Sequence, residues 1–492
     1  MPGTRVSILN KFLTWIKHDP KGIFWLAGLA GTGKTSIAVT LCRMLESDPD
    51  VLLGGTFFCS RTANVEGRTD VRRILPSLAV MLATQSPNFA VELAVELKPD
   101  SGAAAHKPAS DQIGPLLQRP LSALTGDNRP IVFVIDALDE CVNERELGEL
   151  LAGIARFNCT ANVKFILTSR PETYILGSPI SDRVQNEILQ LHMIDTVEVT
   201  EDIRLYIEDA FSRRPLATPW YSDTEVTTLA SLSNGLFIFA STVVSYILNT
   251  NSVHSRTTRL RTALAAVTKS EVAMRPLDAV YELVLTRASN PLELEREELQ
   301  ATQRVLACIL AVRVPLSAIM LAELLDTQVD HLRESLQRLT AVVYMPEEDD
   351  ELGLRTIHAS FGDYMYDRAP PNIRIAESLG HDILARGCLN RMGWDDLCFN
   401  ISCSRSSYEA NGPTSAGGIA SSLIYACLHW AHHVAGASES TVLDESIEQI
   451  FMPKFLFWLE ALSVLGKVGV ASGLLRIAGS AVSVIRMSCN HG

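Results

Sequence analysis

Gly28-Leu29-Ala30-Gly31-Thr32-Gly33-Lys34-Thr35 fits the pattern G-x-x-x-x-G-K-[ST], and its flanks supply the context that pattern needs. Before it, Ile23-Phe24-Trp25-Leu26-Ala27 is a continuous apolar run of strand length. After it, Ile37, Ala38, Leu41, Cys42 and Leu45 recur at helical spacing. The segment therefore reads as strand, loop and helix in order. Glycines at 28, 31 and 33 let the backbone turn tightly and aim its N–H groups inward, where they and the helix N-terminus can receive phosphate oxygens. Lys34 is expected to neutralise the β and γ phosphates, and the Thr35 hydroxyl to ligate Mg²⁺, a hard cation that keeps oxygen ligands. Ser36 completes the nucleotide-lining set of residues 28 to 36.

About a hundred residues on, Asp127-Asn128-Arg129-Pro130 makes a turn and Ile131-Val132-Phe133-Val134-Ile135 a buried strand ending in Asp136. An acid at the carboxyl end of a parallel strand beside a P-loop can hold Mg²⁺ through its water shell, so Asp136 is the second expected metal residue. Asp139 and Glu140 follow, and either could orient or deprotonate a water attacking the γ-phosphate. The alternative is that this acidic pair caps the next helix, whose apolar face is Leu147, Leu150, Leu151 and Ile154. A third strand, Val163 to Leu167, leads into Thr168-Ser169-Arg170-Pro171, which brings a guanidinium to the same edge. Arg170 then suits a γ-phosphate sensor, with a surface arginine before a helix-stopping proline as the plainer reading.

The bulk numbers narrow the function class. At 492 residues the chain is too long for one core. Its 47% apolar and 20% charged content is a globular balance. A formal net charge of −13 and the absence of any basic run argue against nucleic acid as a partner. Ten scattered cysteines and no secretory pattern at the N-terminus suggest a reducing, cytoplasmic setting. The apolar run Gly235 to Leu248 falls short of the ~20 residues of a spanning helix, and Glu460, Lys467 and Arg476 interrupt the stretch from Phe455 to Ile485, so no membrane span is expected. Cys398, Cys403, Cys427, His429, His432 and His433 lack the paired spacing of a closed zinc site and read as core.

Taken together, GLAGTGKT, IVFVIDALDEC and VKFILTSRPE resemble, in order and spacing, the NACHT-type NTPases of fungi, which belong to the signal-transducing STAND class and are NLR-like. The resemblance extends to Asn234-Gly235-Leu236-Phe237-Ile238, to Arg355-Thr356-Ile357-His358-Ala359-Ser360-Phe361 and to Phe457-Trp458-Leu459-Glu460-Ala461-Leu462. It implies an α/β P-loop NTPase with a parallel sheet, followed by helical, winged-helix and second helical domains that close around ADP and open on nucleotide exchange. The Walker roles carry over to Gly28, Gly33, Lys34, Thr35 and Asp136, the acidic pair to Asp139 and Glu140, and the sensor to Arg170. His358 matches the winged-helix histidine that contacts the ADP β-phosphate in related animal receptors, the alternative being a satisfied core residue. Gly3-Thr4-Arg5 is similar to the start of the segment that lies over the base. Phe237 stands where related plant-type ATPases have the proline that packs on adenine.

The expected division is a pre-core segment 1–21, the NTPase domain 22–195, a small helical domain 196–270, a winged-helix domain 271–370 and a C-terminal helical domain 371–492. Helices at 303–325 and 329–340, then a hairpin across Pro346-Glu347-Glu348-Asp349-Asp350, give the winged-helix outline, whose acidic tip is unsuited to DNA. No effector domain or WD, ankyrin or tetratricopeptide repeat is recognisable, which suggests a minimal or truncated member.

The expected function is a switch that binds ATP or ADP with Mg²⁺, hydrolyses slowly and meets protein partners or self-associates when open. Two alternatives are a nucleotide-binding scaffold without hydrolysis and an ordinary P-loop phosphotransferase or ATPase. ATP is the expected base because the guanine-reading Asn/Thr-Lys-x-Asp element is absent, Leu97-Lys98-Pro99-Asp100 having the wrong first residue. GTP remains the alternative.

Overall fold

This computed structural model describes residues 3–19, 22–60, 67–97, 107–123, 129–171, 188–191, 196–213, 220–250, 252–269, 276–288, 295–346, 353–401, 418–438 and 445–489. The expected turn at Asp127-Asn128, the Lys98-Pro99-Asp100 stretch, the acidic residues 347–351 and Cys403 with most of the loop around it lie outside them. The chain divides into two compact units, Met1–Val280 and Tyr281–Gly492.

In the first unit, five strands form one sheet: β1 (Ile23–Ala27), β2 (Leu52–Phe58), β3 (Ile131–Asp136), β4 (Val163–Ser169) and β5 (Ile188–Gln190). Their order is β2-β3-β4-β1-β5 and every pairing is parallel. Strands buried on both faces read as unbroken apolar runs, which is why β1, β3 and β4 were legible without alternation. Successive side chains still point to opposite faces. Trp25, Phe133 and Phe165 join one core with α3 (Ile74–Gln85), α4 (Pro87–Leu97) and, after the short helices α5 (Ala109–Ile113) and α6 (Arg119–Ser122), α7 (Glu144–Ala155). Phe24, Val132 and Ile166 join the other with α1 (Val6–His18) and α2 (Lys34–Glu46). The result is a three-layer α/β domain.

The apolar run of β4 conceals one charge. Lys164, 1% exposed, bonds the Asp19 carbonyl at the end of α1 and lies 4.9 Å from the Trp15 ring centroid, and burial lowers its pKa. It ties the first helix to the sheet.

Four helices follow in the same unit: α8 (Thr196–Ser212), α9 (Asp223–Leu232), α10 (Phe237–Leu248) and α11 (Val253–Lys269). Ser222 and Glu225 form a reciprocal capping box at the start of α9. Asn234 and Gly235, with φ of 48° and 77°, turn the chain into α10, so the long apolar run is a buried globular helix. No helix among the described residues is long and apolar enough to cross a membrane.

α12 (Pro276–Ala288) spans the division between the units. The second unit continues with α13 (Arg296–Ala311), α14 (Ala318–Leu325) and α15 (Val329–Leu336), then a short antiparallel pair, β6 (Val343–Tyr344) and β7 (Arg355–Thr356). A bridge between Leu316 and Leu354 adds a third strand position to this hairpin. Beyond it come α16 (Ala359–Asp363), α17 (Glu377–Gly393), α18 (Ser421–Gly436), α19 (Met452–Val464) and α20 (Ala471–Cys489). The α17–α18 pair holds a neutral polar network: Arg313 N–H donates to Tyr425 Oη (3.2 Å), Tyr425 pairs with His433 Nε2 (2.8 Å), and His433 Nδ1 with His381 Nδ1 (3.0 Å). Cys427 and His433 are fully buried here, His429 and His432 are half-buried, and Cys398, expected in the core, is exposed; no group of three or more metal-capable side chains occurs among the described residues.

Candidate nucleotide site

The P-loop takes its shape from the three glycines. Gly31 and Gly33 stand at φ of 79° and 92°, in the left-handed region that favours glycine. Gly31 is also required by a neighbour: a Cβ there would collide with Ile238 of α10, whose N–H donates to the Gly31 carbonyl (3.2 Å). Gly28 N–H bonds the Ser169 carbonyl (3.1 Å), which fastens the loop to the end of β4. Thr32 Oγ1 donates to the Leu29 carbonyl (2.9 Å), while Leu29 itself is exposed and Ala30 half-buried.

Lys34 is buried and its Nζ donates to the Gly28 (2.7 Å) and Leu29 (3.1 Å) carbonyls. Burial lowers its pKa, opposed by the negative charges of Asp139, Asp136 and Glu140 and reinforced by Arg170. All four partners were singled out from sequence, and the fold brings them around one ammonium.

Asp136 is 1% exposed at the end of β3. Thr35 Oγ1 donates to its Oδ2 (2.8 Å) and Thr168 Oγ1 to its Oδ1 (2.5 Å). Burial raises its pKa, countered by the two hydroxyl bonds and by Lys34. A hydroxyl and a carboxylate converging at hydrogen-bond distance form an all-oxygen donor set that fits Mg²⁺, with Thr35 and Asp136 as the residues that would hold it.

After Asp136 the chain passes through Ala137, at φ 58°, into a tight turn, Leu138–Glu140. Asp139 faces β4: its Oδ1 accepts from Arg170 N–H (2.9 Å) and its Oδ2 lies 3.1 Å from Arg170 Nε. Glu140 is half-buried. The helix-capping alternative fails, because the N-cap of α7 is Asn143, whose side chain accepts from Glu146 N–H (3.1 Å). Arg170 is half-buried against Asp139.

Ser36 lines a cavity of about 140 Å³ with Thr4, Arg5, Leu9, Gly33, Ile37, Thr40, Tyr206 and Phe237. Arg5, at φ 58° and 6% exposed, closes one side. Its Nη2 donates to the Thr32 carbonyl (3.0 Å), its N–H donates to Asp202 Oδ2 (3.1 Å), and its guanidinium lies 5.0 Å from the Phe237 ring centroid. Phe237 thus occupies the cavity edge in place of a proline. Sequence reading missed Asp202 and Thr168, since an acid on an amphipathic helix and a threonine in a strand carry no signal of their own.

His358 belongs to the second unit, where it is the N-cap of α16. Its Nδ1 accepts from Ser360 N–H (3.1 Å) and pairs with Ser360 Oγ (2.7 Å), which also meets Tyr281 Oη (2.9 Å). The ring is therefore held in one orientation by its Nδ1 edge.

Residues 3–170 match the family model described as Nephrocystin 3, N-terminal. The chain is 23% identical over 507 aligned residues to the vegetative incompatibility protein HET-E-1 of Podospora anserina, covering 92% of this chain. It spans about a third of that protein's length, 34%. Among solved structures, Cdc6p from Pyrobaculum aerophilum matches with a TM-score of 0.31 at 12% identity, over 77% of this chain and 93% of that one. Drosophila ORC bound to DNA matches at 0.33 and 14% identity, over 73% and 86% of the two chains. The fold rests on the strand order itself, β2-β3-β4-β1-β5. The family-model match and the similarity along most of the chain support the resemblance to fungal NACHT-domain NTPases.

Proposed function

We propose that the protein is a nucleotide-dependent switch that binds ATP or ADP with Mg²⁺, hydrolyses the triphosphate slowly and thereby controls an open and a closed state. The observation that carries this reading is Arg170 held by Asp139 beside Lys34 and Asp136. An arginine with a resting acidic partner has two places to go, and a γ-phosphate offers the second.

In this reading the loop N–H groups and the α2 N-terminus cradle the phosphates, and Lys34 exchanges its two carbonyl partners for phosphate oxygens. Bound Mg²⁺ supplies neutralisation of the β and γ charges between Thr35 and Asp136. Glu140 orients the attacking water, and Asp139 serves as the resting partner of Arg170. Turnover is slow because Arg170 must leave Asp139 before the γ-phosphate is fully engaged. The base occupies the cavity lined by Arg5, Thr40, Tyr206 and Phe237, with ATP preferred and GTP as the competitor. The five-part division read from the sequence, including a winged helix at 271–370, supplies the moving parts, and protein partners or further copies of the chain meet the open state in the cytoplasm.

Phosphate release by the wild type and by Lys34→Ala tests this. Slow, Lys34-dependent release supports the switch. Nucleotide binding with no release supports the scaffold, and fast turnover an ordinary ATPase. His358 is proposed to favour ADP in the closed form. Its replacement by alanine should speed ADP loss, and unchanged retention would remove that role.

A further inference from the structure

Thr168 stands among the strand ends, and the nucleotide chemistry proposed for them gives it no part. It is 0% exposed, in the penultimate position of β4. Its hydroxyl has two partners: Ala137 N–H donates to it (2.9 Å), so its single proton goes to Asp136 Oδ1 (2.5 Å). Both partners matter. Asp136 has its other oxygen on Thr35, so the two threonines together fix the plane of the carboxylate. Ala137 stands at φ 58°, a conformation that alanine rarely adopts unless its surroundings hold it, and it turns the chain toward Asp139 and Glu140. Two residues on, Arg170 closes the loop by bonding Asp139.

We propose that Thr168 is a positioning residue of the nucleotide site, fixing the Asp136 carboxylate for the metal and holding the Ala137 turn that presents Asp139 and Glu140. This rests on the reading of Thr35 and Asp136 as the Mg²⁺ residues. Outer partners that orient a metal-binding carboxylate typically cost 10–100-fold in metal affinity or activity when removed. A threonine that merely packs β4 would show no such link to the metal.

The test compares Thr168→Val, which keeps the shape and loses the hydroxyl, with Thr168→Ser, which keeps the hydroxyl. The affinity of the full chain for a fluorescent ADP analogue is measured with Mg²⁺ and with EDTA. The wild type should bind more tightly with Mg²⁺. Thr168→Val should lose roughly 10- to 100-fold of that gain while matching the wild type in EDTA, and Thr168→Ser should restore it. Should Thr168→Val fail to fold, Thr168→Cys, which matches serine in shape but offers only a weak donor, serves in its place and should lose most of the same gain. A full Mg²⁺ gain in the valine or cysteine variant, or an equal loss with and without Mg²⁺, overturns the proposal alone. A wild type with no Mg²⁺ gain overturns the site reading and this proposal with it.

Discussion

Two buried polar clusters, one in each unit, are built on opposite electrical principles. The strand-end cluster of Lys34, Asp136, Asp139 and Arg170 is charged, with the side chain of Arg170 28% exposed at its edge. The cluster of His381, His433 and Tyr425 is neutral, with His433 and Tyr425 sealed in the core. Tyr425 accepts from Arg313 N–H, so its own proton goes to His433 Nε2, and His433 Nδ1–H is left to donate to His381. The three side chains form one directed chain of hydrogen bonds. Burial of polar groups alone therefore does not mark a site. The first cluster differs because its opposite charges pair with one another at the strand ends, beside the P-loop and with Arg170 partly exposed.

The largest expected effect breaks the charged cluster at its centre. Lys34→Ala should lower phosphate release by about 100-fold or more, by analogy with removing one preorganised donor from a reacting oxyanion. Steady-state release assays check it, and the histidine cluster should be indifferent to the change.

Next, the acidic pair can be split by function. Asp139→Asn weakens the ion pair to Arg170 and should destabilise the first unit by about 1–2 kcal/mol, as loss of a charged hydrogen bond does. Glu140→Gln should abolish most phosphate release at a smaller cost in thermal stability than Asp139→Asn, since Glu140 is half-buried where Asp139 is buried. Equal stability losses in the two variants would erase the distinction drawn between them.

Acid should separate the clusters by sign. Burial lowers the pKa of His433 well below 6.5 and that of His381 in the same direction, Arg313 opposing charge on both. Glu377 and Asp382 favour a charge on His381 but do not outweigh burial. The unfolded chain then binds protons near pH 6.5 that the folded one refuses. Stability is complete above pH 6.5 and falls as pH drops toward the folded values, by about 1.4 kcal/mol per pH unit for His433. Asp136 acts oppositely, because its raised pKa favours folding at low pH and that contribution is lost as pH rises above the ordinary carboxyl value of 3.8. Denaturant melts of the wild type and His433→Gln between pH 7.5 and 5 check this. An unchanged pH slope in the variant would remove the histidines from the account.

Much of the first unit was legible because its information is local. A P-loop is contiguous, its glycines meet a backbone demand inside eight residues, and its flanking strand and helix announce themselves by apolar period. The buried strands β3 and β4 and the acids and arginine at their ends followed for the same reason. Their order in the sheet did not, since β4 enters between β1 and β3 by tertiary packing.

Sequence by itself determined the glycine-rich loop between strand and helix, the apolar strands with polar residues at their ends, and the reading of Gly235 to Leu248 as a buried helix. Only the tertiary structure decided that Asp139 belongs to Arg170 rather than to a helix cap, that Thr168 holds Asp136, and that Arg5 reaches Thr32 and Asp202 across the chain. Hydrogen bonds and ion pairs between residues far apart in sequence depend on which strands become neighbours, and that is settled by burying both faces of a sheet at once.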